Sequence, residues 1–91
     1  SKRRNVMTLT IACDTDSDLS GSWNQADVEQ KLRELGIETY GGNEWLEYVL
    51  GQVFNDIIFP EGVLDAILSL DVEQIKFKTN FGDVITATLS E

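Results

Sequence analysis

The stretch from Glu44 to Leu70, EWLEYVLGQVFNDIIFPEGVLDAILSL, concentrates the large apolar side chains that a small domain has to bury, so it constrains the fold more than any other part of the chain. Trp45, Val49 and Val53, and beside them Leu46, Leu50 and Phe54, recur at helical spacing. A run this long without a turn signal favours helix over strand. Asn43 follows the Gly41-Gly42 break and can cap the helix, because its short side chain accepts from the first free amides. The helix should end near Asn55. Pro60 can open a further helix, since its fixed φ and missing N–H suit a first turn, and that helix presents Val63, Leu64, Ile67, Leu68 and Leu70.

Around this centre the remaining elements read from pattern. Val6 to Cys13 alternates Met7, Leu9, Ile11 and Cys13 with Val6, Thr8, Thr10 and Ala12, which predicts a strand. Neither face is charged, so the strand should lie centrally or be covered on both sides. Asn24 to Leu35 reads as a helix capped by Asn24, with Asp27 favourable to the dipole and Val28, Leu32 and Leu35 as its buried stripe. Gly36 is a left-handed stop, with Ile37 packing back on the last turn. Between Gly36 and Gly42 a short extended piece can form around Glu38 to Tyr40. The chain ends in a hairpin: Glu73 to Thr79 alternates Ile75 and Phe77 with Gln74, Lys76 and Lys78. A type I turn with a glycine bulge fits Thr79 to Asp83, and Val84, Thr86 and Thr88 then face opposite to Ile85, Ala87 and Leu89. The expected fold class is α+β, in the order β-α-α-α-β-β, with helices packed against a three-stranded, mainly antiparallel sheet that the first strand and the hairpin form together.

A chain of 91 residues with 42% apolar content and one Pro is expected to bury one core. We read residues 1–5 as a flexible basic lead-in and 6–91 as a single compact domain. The lone Cys13 cannot form an internal disulfide, and with no His in the chain to activate it, it is expected to pack as a small hydrophobe. No apolar run reaches membrane-spanning length and no signal-peptide pattern is present, so a soluble protein of the reducing cytoplasm is expected.

Charge is the least ordinary property. There are 16 acids against 7 bases, a net charge of −9, and without Lys2, Arg3 and Arg4 the body holds 16 acids against four bases, or −12. Such a body repels nucleic acid and anionic membrane and attracts a basic protein surface. The densest negative patch is Asp14, Asp16 and Asp18 in DTDSDLSGSWNQ. Alternating carboxylates open a helix-loop-helix calcium site in the same way, but Leu19 stands where that site needs Gly and Gln25 where it needs a bidentate Glu. We therefore expect these carboxylates to contact a basic partner. Trp23 either staples to Val28 or serves as a partner anchor. Ile57, Ile58 and Phe59 supply three large apolar side chains to a short connection, and either plug the core or form an exposed patch for a partner or a second copy.

No paired carboxylates, nucleophile with a base, phosphate-binding loop or ligand cluster stands out, so no catalytic residue, metal or cofactor is expected and an enzyme is not. The reading is a small acidic protein-binding domain whose partner is a basic surface, in its sharpest form an inhibitor that mimics nucleic acid and occupies the groove of a nucleic-acid-binding enzyme or complex. In size and acidity the chain resembles small phage-encoded inhibitors of host defence, including anti-CRISPR proteins, and the immunity proteins that neutralise basic nucleases. That resemblance is one of composition and covers no motif. The alternative is a structural subunit, or a homodimer, that associates through an apolar patch.

Overall fold

The computed structural model describes residues 7–15, 17–40, 42–69 and 73–90. The basic lead-in read at residues 1–5, as well as Asp16 and Leu70, lies outside the described residues. The order is β1 (Thr8–Cys13), a 3₁₀ turn (Ser17–Leu19), β2 (Gly21–Asn24), α1 (Gln25–Glu34), α2 (Glu44–Val53), α3 (Val63–Leu68), β3 (Gln74–Lys78) and β4 (Val84–Ser90). The fold is α+β, with the four strands in one antiparallel sheet ordered β2-β1-β4-β3. The expected three strands are thus four. β2 reads poorly as a strand because GSWN is short, holds Gly and Asn, and has only one large apolar residue.

β1 is central, and its pairing with β4 runs from Thr8↔Ser90 to Cys13↔Ile85. Among the described residues only one face of the sheet is covered. Leu9, Ile11, Phe77, Ile85, Ala87 and Leu89 point into the core, whereas Thr10, Ala12, Ser22, Lys76 and Lys78 on the other face are exposed. Period two therefore separates a wet face from a dry one, as antiparallel sheets allow. Trp45, Leu46, Val49 and Leu50 of α2 complete the core with Val28 and Leu32 of α1, Ile67 of α3 and Phe54. Trp45 is only 1% exposed, and no buried side-chain N or O among the described residues lacks a partner.

Asn24 caps α1 as its sequence position suggests, its Oδ1 accepting from the amides of Ala26 at 2.9 Å and Asp27 at 3.4 Å. Gln25 then joins the helix start to the sheet: its amide donates to the Met7 carbonyl and its side-chain Oε1 accepts from the Met7 amide. The far end is a Schellman closure, with Gly36 at φ +78° and the Ile37 amide donating to the Leu32 carbonyl. Leu35 is nevertheless exposed, so the buried stripe of α1 is Val28 and Leu32 without it.

The later helices depart from the expected boundaries for local reasons. Asn43 stands at the cap position of α2, but its side chain makes no cap bond and instead donates from Nδ2 to the Leu68 carbonyl, tying α2 to the end of α3. α2 stops at Val53. α3 begins at Val63 rather than Pro60, because Gly62 at φ +85° stands in the left-handed region and cannot belong to a right-handed helix. The hairpin turn closes as expected, with the Thr79 amide donating to the Asp83 carbonyl and Gly82 at φ +88° as the bulge residue.

Replacing Asn24 with Ala should lower unfolding stability by about 1 kcal/mol, since two helix amides lose their acceptor, while Ser should restore most of the loss. Urea unfolding followed by circular dichroism checks both.

A candidate partner-binding end

Three separate stretches of chain meet at the hairpin end of the sheet. β1 leaves the sheet at Cys13, and Asp14 stays beside the start of β4, its Oδ1 accepting from the Val84 amide at 3.1 Å and its own amide donating to the Val84 carbonyl at 3.3 Å. The Thr15 hydroxyl donates to the Asp83 carboxylate. From the other side the connection after α2 is held by the Ile58 amide, which donates to Asn80 Oδ1 at 2.9 Å. The β3–β4 turn is therefore a post to which both the acidic loop and the Asn55 to Phe59 connection are tied.

The result is a mixed acidic and apolar end. Leu19, Asp56, Ile57, Phe81 and Asp83 line one shallow depression of about 350 Å³. Asp14, Asp18 and Asp56 are exposed and Asp83 is half-exposed, and Phe81 and Ile58 are 67% and 70% exposed. Asp18 precedes Leu19, which lines the depression, in the 3₁₀ turn. Of the aspartates at this end, Asp56 and Asp83 share the depression with the exposed Phe81.

The site residues read from the sequence are distributed unevenly. Asp14 belongs to this end by its bonds to Val84, Asp18 is exposed in the 3₁₀ turn, and Asp16 lies outside the described residues. The connection splits: Ile58 is exposed, Ile57 is half-buried, and Phe59 turns inward, stacking on Phe77 at 5.3 Å and meeting Phe54 edge-on at 5.4 Å. Trp23 is elsewhere. It sits opposite Leu9 in β2, half-buried against the core, and lines a different cleft with Tyr48. Phe81, Asp56 and Asp83 were not singled out from sequence, although a Phe at the tip of a hairpin turn, where packing is least available, is a signal that an aromatic side chain faces water.

Cys13 lies at the edge of this region as a free, half-buried thiol, with Sγ 3.8 Å from the Thr15 hydroxyl. No group of three or more His, Cys, Asp or Glu among the described residues could hold a metal ion, and among them no helix is long and apolar enough to cross a membrane. Away from this end, Tyr40 donates its hydroxyl to Glu38 at 2.7 Å, and that bond, reinforced by the charge of Glu44, holds its proton above the usual phenol range.

Comparison with protein-family models, with curated proteins and with solved structures returns no match to this chain.

The inward and outward phenylalanines should separate cleanly on mutation. Phe77→Ala empties core space and should cost roughly 3–5 kcal/mol, whereas Phe81→Ser should shift stability by no more than about 0.5 kcal/mol, as for a surface position. Paired denaturant titrations read both values.

Proposed function

We propose that this is a small protein-binding domain whose hairpin end docks on a basic surface of another protein. The observation that carries the reading is the depression that Asp56 and Asp83 share with the exposed Phe81, beside which Asp14 is bound to Val84 and the exposed Ile58 to Asn80. A net charge of −9 steers a basic partner toward the domain at long range, and the apolar pair provides short-range burial once the surfaces meet. The division of labour has a physical basis: screened surface charges contribute mainly to encounter rate and specificity, while a buried aromatic anchor contributes to residence time.

In the sharper form of this proposal the basic surface is a nucleic-acid-binding groove and the domain acts as an inhibitor by filling it. Carboxylates would then stand where phosphates stand, and nucleic acid would compete with the domain for the same lysines and arginines. No chemistry on a substrate is part of this reading. Self-association through Ile58 and Phe81 is the second reading, favoured by their exposure. Apposing two copies at this end would, however, bring both sets of aspartates together, so charge opposes the dimer and favours the basic partner.

The two readings respond oppositely to salt. Capture on the tagged domain from lysate of the source cell or its host should recover a basic protein at about 50 mM salt and release it at about 500 mM, where charges are screened within a few ångströms. Combined Asp14→Asn and Asp18→Asn substitutions should slow association several-fold, and Phe81→Ser should speed dissociation by tenfold or more, on the scale of a lost interface anchor. Nucleic acid should displace the captured protein in the inhibitor form. Recovery of the domain alone, growing stronger with salt, would overturn the proposal in favour of self-association.

A further inference from the structure

We propose that the groove between α2 and α3 receives an amphipathic helix of the basic partner. The groove holds about 490 Å³, more than the depression at the hairpin end, and the two share Asn55 and Ile57 in their linings. The hairpin end therefore continues into it. Buried Leu50 and Phe54 lie at its base, Ile57, Phe59 and Leu68 are half-buried, and Leu64 is 37% exposed. Contiguous apolar surface of this kind marks an interaction site more often than apolar residues scattered singly.

Gly51 gives the groove a feature that the fold itself does not explain. It lies inside α2, it is exposed, and a Cβ built on it would meet no heavy atom within 4 Å. Glycine in a helix interior destabilises the helix relative to alanine, and here no described neighbour occupies the space. The missing side chain leaves bare helix backbone in the groove lining, open to close approach by another element. The walls also decide the form of that element. Both are helices, whose backbone groups bond within them, so neither offers a sheet edge to a partner strand. An extended segment would lose water from its own amides over an apolar floor and gain no partners, whereas a helix enters with its backbone bonds already made.

Charge decides the margins. From Glu34 to Glu73 the sequence holds nine acids and no Lys, Arg or His, and this stretch supplies every described residue that lines the groove. Among the described residues Glu47 is the one charged group in the lining, and Asp56, Glu61 and Asp65 are exposed on the connection and on α3. Lys76 and Lys78 alternate with the buried Phe77 and so lie on the outer face of the sheet. The last turn of α2 carries no base, so the negative end of its dipole, at Phe54 and Asn55 of the lining, has no cation in that turn. Lysines and arginines beside the apolar stripe of a helix supply that cation and complement the exposed acids. A second copy of the domain would bring its own acids to the same margins. The inference deepens the proposed function by naming the partner's docking segment, and rests on it only in taking the partner to be basic.

The test uses the isolated domain and synthetic peptides, so it does not depend on finding the partner. Fluorescent peptides of about four helical turns carry Leu or Phe at i, i+3, i+4 and i+7. Three versions are titrated: one with Lys and Arg at the remaining positions, one with Glu there, and one with the basic composition scrambled so that the apolar stripe is lost. The basic amphipathic version should bind in the micromolar range, about tenfold or more tighter than either control, and should shift the amide resonances of Gly51, Leu64 and Leu68 in NMR spectra. Gly51→Leu should weaken that binding about tenfold by filling the approach, without lowering the urea midpoint of the free domain, since leucine favours helix over glycine. No binding, equal binding of the acidic or scrambled peptide, shifts confined to residues outside the groove, indifference to Gly51→Leu, or a dimer of the free domain that Gly51→Leu abolishes would each overturn the assignment. Peptide binding with no basic protein captured would leave the groove standing and remove the hairpin-end proposal, whereas capture weakened by Phe81→Ser and untouched by Gly51→Leu would keep the hairpin end and remove the groove.

Discussion

The antiparallel pairing of β1 with β4 is the constraint on which the rest of the structure depends. It joins Thr8 to Ser90 and Cys13 to Ile85, nearly the two ends of the described chain, and so closes everything between them into one loop. Closing so long a loop costs configurational entropy before any contact offsets it. The compensation is the inner face of these two strands, where Leu9, Ile11 and Ile85 are each at most 2% exposed beneath the α2 residues Trp45 and Leu46. The apolar density of the Glu44 to Leu70 stretch therefore acts through the sheet: it supplies the cover that makes a non-local pairing stable.

The same pairing builds the candidate site. Register fixes which residues stand side by side where β1 leaves the sheet, and here it sets Asp14 against Val84 and brings Thr15 to Asp83. The hairpin turn then reaches the α2–α3 connection through Asn80 and Ile58. Loops that follow from three different parts of the sequence converge because a single ladder positions them, an arrangement in which a rigid scaffold presents short binding segments. Charge at this end is mixed, since Lys78 pairs with Val84 and so stands beside the turn that carries Asp83.

What could be read from residues alone follows the range of the forces involved. Caps, stops and turns are local, and Asn24, Gly36 and the Thr79 to Asp83 turn behave as their spacing suggests. The alternation of β1, β3 and β4 is also local and correctly separates Leu9 and Ile11 from Thr10, and Phe77 from Lys76. β2 was invisible because its strand character comes from the neighbour it pairs with, not from GSWN itself. Asn43 shows the same limit, since its side chain makes no cap bond and donates to the Leu68 carbonyl of a helix whose position in space the sequence does not contain. At the candidate site, composition marked the acidic loop and the Ile57 to Phe59 cluster as separate features. Their convergence on Phe81 and Asp83 is a product of tertiary register, which a one-dimensional pattern does not contain.

The central claim, that the hairpin end is the docking surface, is tested most directly by hydrogen–deuterium exchange of the domain alone and bound to its captured partner. Binding at this end predicts slower exchange in the amides of Asp14 to Leu19, Asn55 to Phe59 and Asn80 to Val84 together, with the exposed sheet face around Lys76 and Thr88 unchanged. Protection confined to the sheet face or to α1, with those three segments exchanging as in the free domain, would contradict the account.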